Sequence, residues 1–342
     1  MIMWWGRLAA SVIVLAMAAA SPAGAAEPAN VKFSLDWLLQ GQQAPFILTQ
    51  ERGYYRQAGV NLTALDAGRG STDTIGKVAS GVYEIGFGDL GALIEFNAKN
   101  PGKEMMGVLM IYDQAPLAIV SLKKAGINKP ADLKGNKGAA PSFDSTYRLF
   151  NVFARVNGFD PAGVQWANVA PQLREPMLAR GETDAIAGFS FTSQLSLRGL
   201  GVPDAAISTL MYRDHGVDMY SNVVIVAPSF LKARPDAVRG FVKATIHGWR
   251  DAYADPAAAI AALKRRDPLT DEAVEIERLK MAFDFIFTSH VRRSGMGDVE
   301  PARLQKNIDL VTEGFQLPRK IKPDEVFSAA YLPAPAERGV TQ

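Results

Sequence analysis

Cysteine is absent from all 342 residues. Its absence excludes disulfides, thiolate metal sites, a cysteine nucleophile and a lipid anchor carried on cysteine. Histidine is scarce as well: His215, His247 and His290 are the only three, and their separations match no metal-binding spacing. No Gly-x-Ser-x-Gly nucleophile turn and no phosphate-loop glycine pattern occurs. Neither sign of charge dominates, with 37 lysines and arginines against 35 acidic residues and a net charge of +2. The densest basic runs, Lys264-Arg265-Arg266 and Arg292-Arg293, lack interleaved aromatics and read as solvated surface, so no nucleic-acid partner is expected. Short repeats and low-complexity tracts are missing too. No metal and no cofactor is expected.

The long apolar run that does exist is N-terminal. Arg7 is the single charge before Glu27, Leu8 to Ala20 is almost wholly apolar, and the small residues Ser21 to Ala26 follow. That order is a secretory signal peptide over residues 1–26, cut after Ala25 or Ala26. The run is shorter than the roughly 20 residues a membrane span needs. The expectation is a monomer released into the periplasm.

Downstream, strand-like and helix-like segments alternate. Val31–Leu35 reads as a strand and Pro45–Glu51 as a helix, with proline suited to a first turn and Gly53 to the stop. Val60–Leu65, Ile85–Gly88, Lys137–Ala140 and Thr183–Gly188 read as further strands, and Ser71–Ala79 and Leu90–Asn97 as helices between them. Such alternation implies βαβ units and mainly parallel sheets. Leu117–Leu122 and Asn222–Val226 are candidate crossings between two lobes, one lobe being inserted in the other. After Val226 the pattern is helical, at Pro235–Tyr253, Pro256–Lys264 and Asp271–Ala282. Tyr331 to Gln342, with two prolines and no periodicity, is expected to be a loose strap or disordered.

A strand, a small-residue turn and a helix start recur at Asp66–Ser71, Gly86–Asp89, Ala139–Thr146 and Ala187–Thr192. In open α/β sheets such turns gather on one edge, where ligands bind. The free N–H groups of helix starts add donors and positive potential there.

Several segments together resemble a family. They are Leu35-Asp36-Trp37 with Gln43-Ala44-Pro45, Glu51-Arg52-Gly53-Tyr54-Tyr55 with Ala58-Gly59-Val60, and Ala79-Ser80-Gly81-Val82-Tyr83-Glu84-Ile85-Gly86. Lys129-Pro130-Ala131-Asp132-Leu133-Lys134-Gly135, Gly216 to Val223 and the helix Phe230 to Trp249 complete the set. In this order they resemble the type II periplasmic binding proteins of ABC transporters for nitrate, sulfonate, taurine and thiamine precursors, a branch that also contains thiamine-pyrimidine synthases. The resemblance implies an α/β protein with two lobes, each a mainly parallel sheet flanked by helices, joined by two hinge crossings and closing on a ligand. Residues 27–118 with 216–342 would form one lobe and 119–215 the other.

The candidate ligand contacts follow from those turns. Trp37 offers a flat stacking face and Asp36 an acceptor beside it; a core tryptophan and a turn aspartate are the bland alternative. The resemblance implies that the matching tryptophan and a His-Ala-Pro element contact a pyrimidine, but Gln43 replaces the histidine here. Asp89 either caps a helix or accepts from a ligand amino group. Arg69 is either solvated or a partner for a carboxylate or sulfonate. Ser142, Ser145 and Thr146 occupy a strand-to-helix turn and either cradle polar atoms or, with Asp144, cap a helix. Phe189 and Phe191 either wall the cleft or join the core. His215 and Tyr220 lie on the return crossing. The favoured reading is capture of a planar nitrogen heterocycle, such as a thiamine pyrimidine precursor, for delivery to an inner-membrane permease. A sulfonate or aromatic carboxylate ligand is the alternative, as is a sensor outside transport. The synthases of this branch carry a cysteine-rich element and an active-site histidine; with neither, enzymatic function is not expected.

Overall fold

The computed structural model describes residues 1–2 and 27–340; the expected signal peptide lies outside the described residues. Ten strands form two sheets of five. The first contains β1 (Ala29–Ser34), β2 (Val60–Asp66), β3 (Ile85–Asp89), β4 (Met106–Met110) and β10 (Asn222–Val226), in the order β2-β1-β3-β10-β4. The second contains β5 (Leu117–Leu122), β6 (Lys137–Ala140), β7 (Gln165–Asn168), β8 (Ala185–Phe189) and β9 (Ile207–Met211), in the order β7-β6-β8-β5-β9. Each sheet is flanked by helices and underlies one lobe.

The sheets share one topology. In the first, β1 pairs parallel with β2 and β3, while β10 is antiparallel to β3 and β4. In the second, β6 pairs parallel with β7 and β8, and β5 is antiparallel to β8 and β9. Four strands of each sheet therefore run one way and one runs against them, which makes both sheets mixed. The reversed strand is the one the chain enters after passing between the lobes. Coming from the cleft, it runs outward where the others run inward. Leu117–Leu122 and Asn222–Val226, read as crossings, are thus each a strand within a single sheet, β5 in the second and β10 in the first. The chain passes between the sheets in residues 111–116 and 212–221.

The strands form where apolar runs can be buried on both faces. β3, β5 and β10 are buried at every position, and helices pack against each. On the first sheet, Phe46 of the helix Ala44–Glu51 packs edge-on against Phe33 at 5.2 Å and Trp249 at 5.5 Å. Helix Pro301–Phe315 packs on both Leu90–Lys99 and Phe150–Val156, and so touches both lobes. The tail is not loose through Val340. The Met296 N–H donates to the Arg338 carbonyl at 2.9 Å, Arg338 Nη1 donates to the Met296 carbonyl at 3.1 Å, and Arg338 and Val340 are buried.

Helices Ala44–Glu51 and Pro235–Ala254 approach so closely at Gly248 that a Cβ there would lie 2.8 Å from Thr49 Cβ and 3.2 Å from the Pro45 carbonyl. Gly248→Ala is therefore expected to destabilise by about 1–3 kcal/mol through overpacking. Gly76 lies exposed within Ser71–Ala79 with nothing near its missing Cβ, and Gly76→Ala is expected to add about 0.5–1 kcal/mol. Urea midpoints at unchanged slope check both signs.

Candidate functional site

The strands of both sheets end on the facing edges of the lobes, and the turns that follow form a pocket. Past β1, the chain places Asp36 and Trp37 on its wall; Gln42 follows in the next turn. Past β2, Gly70 and Ser71 open the helix Ser71–Ala79. Opposite them stand Asp144 and Ser145 after β6, Arg174 at the start of helix Arg174–Arg180, and Phe189 and Thr192 at the end of β8. Gly70, at φ 145°, takes a backbone angle that other residues rarely adopt. A Cβ there would also strike the Phe143 carbonyl across the cleft at 2.2 Å.

Asp36 is buried and held from two sides. Gln43 Nε2 donates to its Oδ1 at 3.2 Å and Asn222 Nδ2 to its Oδ2 at 2.6 Å. Burial raises its pKa to about 6 against the pull of those two donors. Asp144 caps the helix Ser145–Arg148 through the N–H groups of Thr146 and Tyr147. Its other oxygen accepts from Arg174 Nη1 at 3.1 Å. Burial still moves Asp144 upward, more than Arg174 draws it down.

Arg174 is 1% exposed. Beyond Asp144 it donates to Glu175 Oε1 through Nε and Nη2, and to the Ala187 carbonyl at 3.0 Å. Ser193 Oγ donates to that same Glu175 oxygen at 2.9 Å. The guanidinium lies against Gly188, where a Cβ would come within 2.5 Å of Nη1. Its carbon sits 5.0 Å from the Trp37 ring centre, a cation–π contact between the lobes. The free space beneath is about 20 Å³, the size of one water. A planar ring thus reaches the inner face of Trp37 only as the lobes part or Arg174 moves.

Of the sequence-derived candidates, Asp36, Trp37, Ser145 and Phe189 meet on this wall. Gln43 stands behind Asp36 as its donor. Arg69 is exposed, pairs with Asp73 at 2.7 Å and, with Ser142, borders a separate surface hollow. Asp89 is wholly buried and occupied: it caps Leu90–Lys99 and accepts from Ser221 Oγ at 2.9 Å. Thr146 is buried under the cap. Phe191 is a core residue 5.9 Å from Phe285. His215 packs edge-on against Phe153 at 6.0 Å, and Tyr220 is buried beneath Arg303 with its hydroxyl accepting from the Glu300 N–H. Arg69, Asp89, Phe191, His215 and Tyr220 are held by local partners, whereas Ser142 gives only its backbone N–H, to Asn168 at 2.9 Å, and Thr146 keeps a buried hydroxyl without a partner.

Sequence reasoning missed Arg174, Thr192, Gln42 and Asn222. Arg174 left one trace. It begins a helix, where the backbone dipole disfavours a cation, so an arginine there needs carboxylates brought by the fold.

Residues 40–259 match the family described as NMT1/THI5 like. The chain belongs to the NMT1/THI5-like family. A 4-amino-5-hydroxymethyl-2-methylpyrimidine phosphate synthase of Legionella pneumophila is 21% identical over 220 residues, 64% of this chain and 68% of its own length. The riboflavin-binding protein RibY of Chloroflexus aurantiacus is 20% identical over 321 residues, 92% of this chain and 90% of its own. Among solved structures, the alkanesulfonate-binding protein SsuA of Xanthomonas axonopodis pv. citri, bound to MOPS, superposes with a TM-score of 0.66 at 17% identity, covering 89% of this chain and 100% of that one. The likeness is one of fold: two lobes, each on a mixed sheet, in the periplasmic-binding-protein arrangement. Among the described residues of this NMT1/THI5-like chain, no group of three or more His, Asp or Glu side chains is placed to hold a metal ion.

The raised pKa of Asp36 makes stability depend on pH. The folded carboxyl holds its proton more tightly than the unfolded one, whose pKa is 3.8. Its contribution is therefore complete below about pH 4 and is lost as pH rises through about 6. Asp36→Asn removes this dependence. The stability of the wild type minus that of the variant is expected to fall by about 2–3 kcal/mol between pH 4 and 7.5, read by urea denaturation at each pH. A flat difference would mean that Asp36 is solvated.

Proposed function

We propose that this protein captures a small planar nitrogen heterocycle rich in N–H donors between its lobes and presents it to an ABC permease, without transforming it. The observation that carries the reading is the acidic aromatic wall: two buried carboxylates, Asp36 and Asp144, face each other beside the rings of Trp37 and Phe189. Aromatic faces with a few fixed polar groups are the usual chemistry of small-molecule sites. Gln42 Oε1 is buried without a partner, while the amide nitrogen is turned to Gln40 Oε1 at 3.3 Å. A flip would set oxygen against oxygen, so the free atom is an acceptor waiting for a donor.

The same geometry disfavours a sulfonate or carboxylate. Arg174 is committed to Asp144 and Glu175, and Arg69 to Asp73, leaving no unpaired cation on the wall. Two relatives bear on the ligand. One is named for a pyrimidine phosphate and the other for riboflavin, and both names describe planar nitrogen heterocycles. Against the synthase reading stand the lack of any cysteine and the presence of Gln43 at the expected histidine. A permease partner and a periplasmic location accord with a neighbouring fold titled the ligand-binding component of an ABC-type import system and with the signal-like N-terminal sequence.

Isothermal titration with 4-amino-5-hydroxymethyl-2-methylpyrimidine, lumichrome and MOPS tests the proposal. Binding by at least one heterocycle and none by MOPS is expected, with a matching rise in melting temperature. Trp37→Ala and Asp36→Asn are each expected to weaken that binding at least tenfold, from the loss of stacking and of a charged acceptor, in variants that stay folded. Binding of MOPS alone would overturn the heterocycle assignment.

A further inference from the structure

A second hollow of about 220 Å³ adjoins the pocket and shares Trp37, Arg174 and Thr192 with it. These three residues line both spaces and, on the proposed reading, stand as a neck between an inner chamber and an outer one. We infer that the outer chamber binds a neutral, hydroxylated carbon chain attached to the ring, so that the ligand is a heterocycle with a polyol or sugar substituent. The inference rests on the reading that the ring lies against Trp37.

Three observations carry it. First, a ring on the inner face of Trp37 presents its outer edge to the neck, and a substituent on that edge leads into the hollow. Second, Thr192 lines both chambers, is 3% exposed, and its Oγ1 is buried without a partner. A hydroxyl buried unsatisfied is costly, and a ligand hydroxyl at the neck would meet it as donor or acceptor. Third, the outer walls carry no unpaired charge. Gln40, Gln172 and Ser196 supply amide and hydroxyl groups, while Pro171, Pro176 and Leu200 supply apolar surface for C–H faces. The two charges that reach this chamber, Arg174 and Glu175, are paired with each other at 2.7 Å. A phosphate would find no free cation there, whereas a polyol, with alternating C–H and O–H, fits both kinds of wall.

Two matched series test this by titration calorimetry: cytosine, cytidine and cytidine monophosphate, and lumichrome, riboflavin and flavin mononucleotide. In the series that binds, the member with the neutral tail is expected to bind at least tenfold tighter than the bare ring, and the phosphorylated member weaker than the neutral one. Ser196→Trp, which fills the outer chamber, is expected to erase the advantage of the tail and leave the bare ring's affinity in place. Gln172→Trp, at an exposed position, serves the same purpose if Ser196→Trp fails to fold. If the ring binds but the tail adds nothing, or the phosphorylated member binds best, the outer-chamber assignment falls while the proposed function stands. If neither variant narrows the gap between ring and tailed ligand, the assignment likewise falls. If no member of either series binds, both fall.

Discussion

A cation removed from water has to be surrounded by acceptors, and Arg174 is removed almost completely. An uncompensated buried charge costs several kcal/mol, so the fold around it is arranged before any ligand enters. Asp144 and Glu175 take the charge, and the Ala187 carbonyl takes a further hydrogen. Ser193 fixes Glu175 in turn. Gly188 leaves the space that the guanidinium fills. Because Asp144 also caps the helix Ser145–Arg148, the cation, the helix start and the edge of β8 hold one another in register. One face of the guanidinium remains for the opposite lobe, and Trp37 meets it. The contact between lobes is thus between a rigid cation and a ring, and a flat molecule can compete for either surface.

The shared topology of the sheets explains why the two walls meet. Each lobe ends its parallel strands at the cleft and accepts the returning chain as a reversed strand beside them, β10 in one and β5 in the other. The passages between lobes therefore begin and end at the site. They are tied to each other from outside it: Arg303 donates to Asp113 in residues 111–116 at 3.4 Å and to Asp218 in residues 212–221 at 3.1 Å. Nearer the cleft, Arg278 donates to the Thr192 carbonyl across the lobes at 3.0 Å, and Arg198 pairs with Glu277. The surface pair adds little to stability, but the bond to Thr192 reaches the neck between the chambers.

Much of the architecture was legible because it depends on local pattern. The apolar runs that became β1, β2, β3, β6 and β8 were visible, as were the turns that bring Asp36, Trp37, Ser145 and Phe189 to the cleft. β4, β7 and β9 were not read, since short strands such as Gln165–Asn168 carry no alternation strong enough to stand out. The direction of β5 and β10 was hidden too, because it is set by the partner strand. At the site, two of the polar side chains offered to the ligand near helix starts are held by their own helices. Asp89 is held by Gly91 and Ala92, and Arg69 by Asp73 one turn on. Arg174 failed in the opposite sense. Its partner Asp144 is thirty positions away and Gly188 fourteen, so beyond its place at a helix start and the adjacent Glu175 the neighbouring sequence did not announce a buried cation.

Gln43 bears on the difference between holding a molecule and changing it. Its amide is buried against Asp36 and donates one hydrogen to the carboxylate. An amide neither gains nor loses a proton near neutral pH, so this position orients Asp36 without exchanging protons with it. A histidine in the same place would titrate close to the raised pKa of Asp36, and the pair could pass a proton to or from a bound ring. With glutamine the carboxylate stands alone among donors, Gln43 on one oxygen and Asn222 on the other. Its remaining lone pairs suit ligand N–H groups. On the proposed reading, that arrangement would orient a guest through its N–H groups and offer it no proton-exchanging partner beside Asp36.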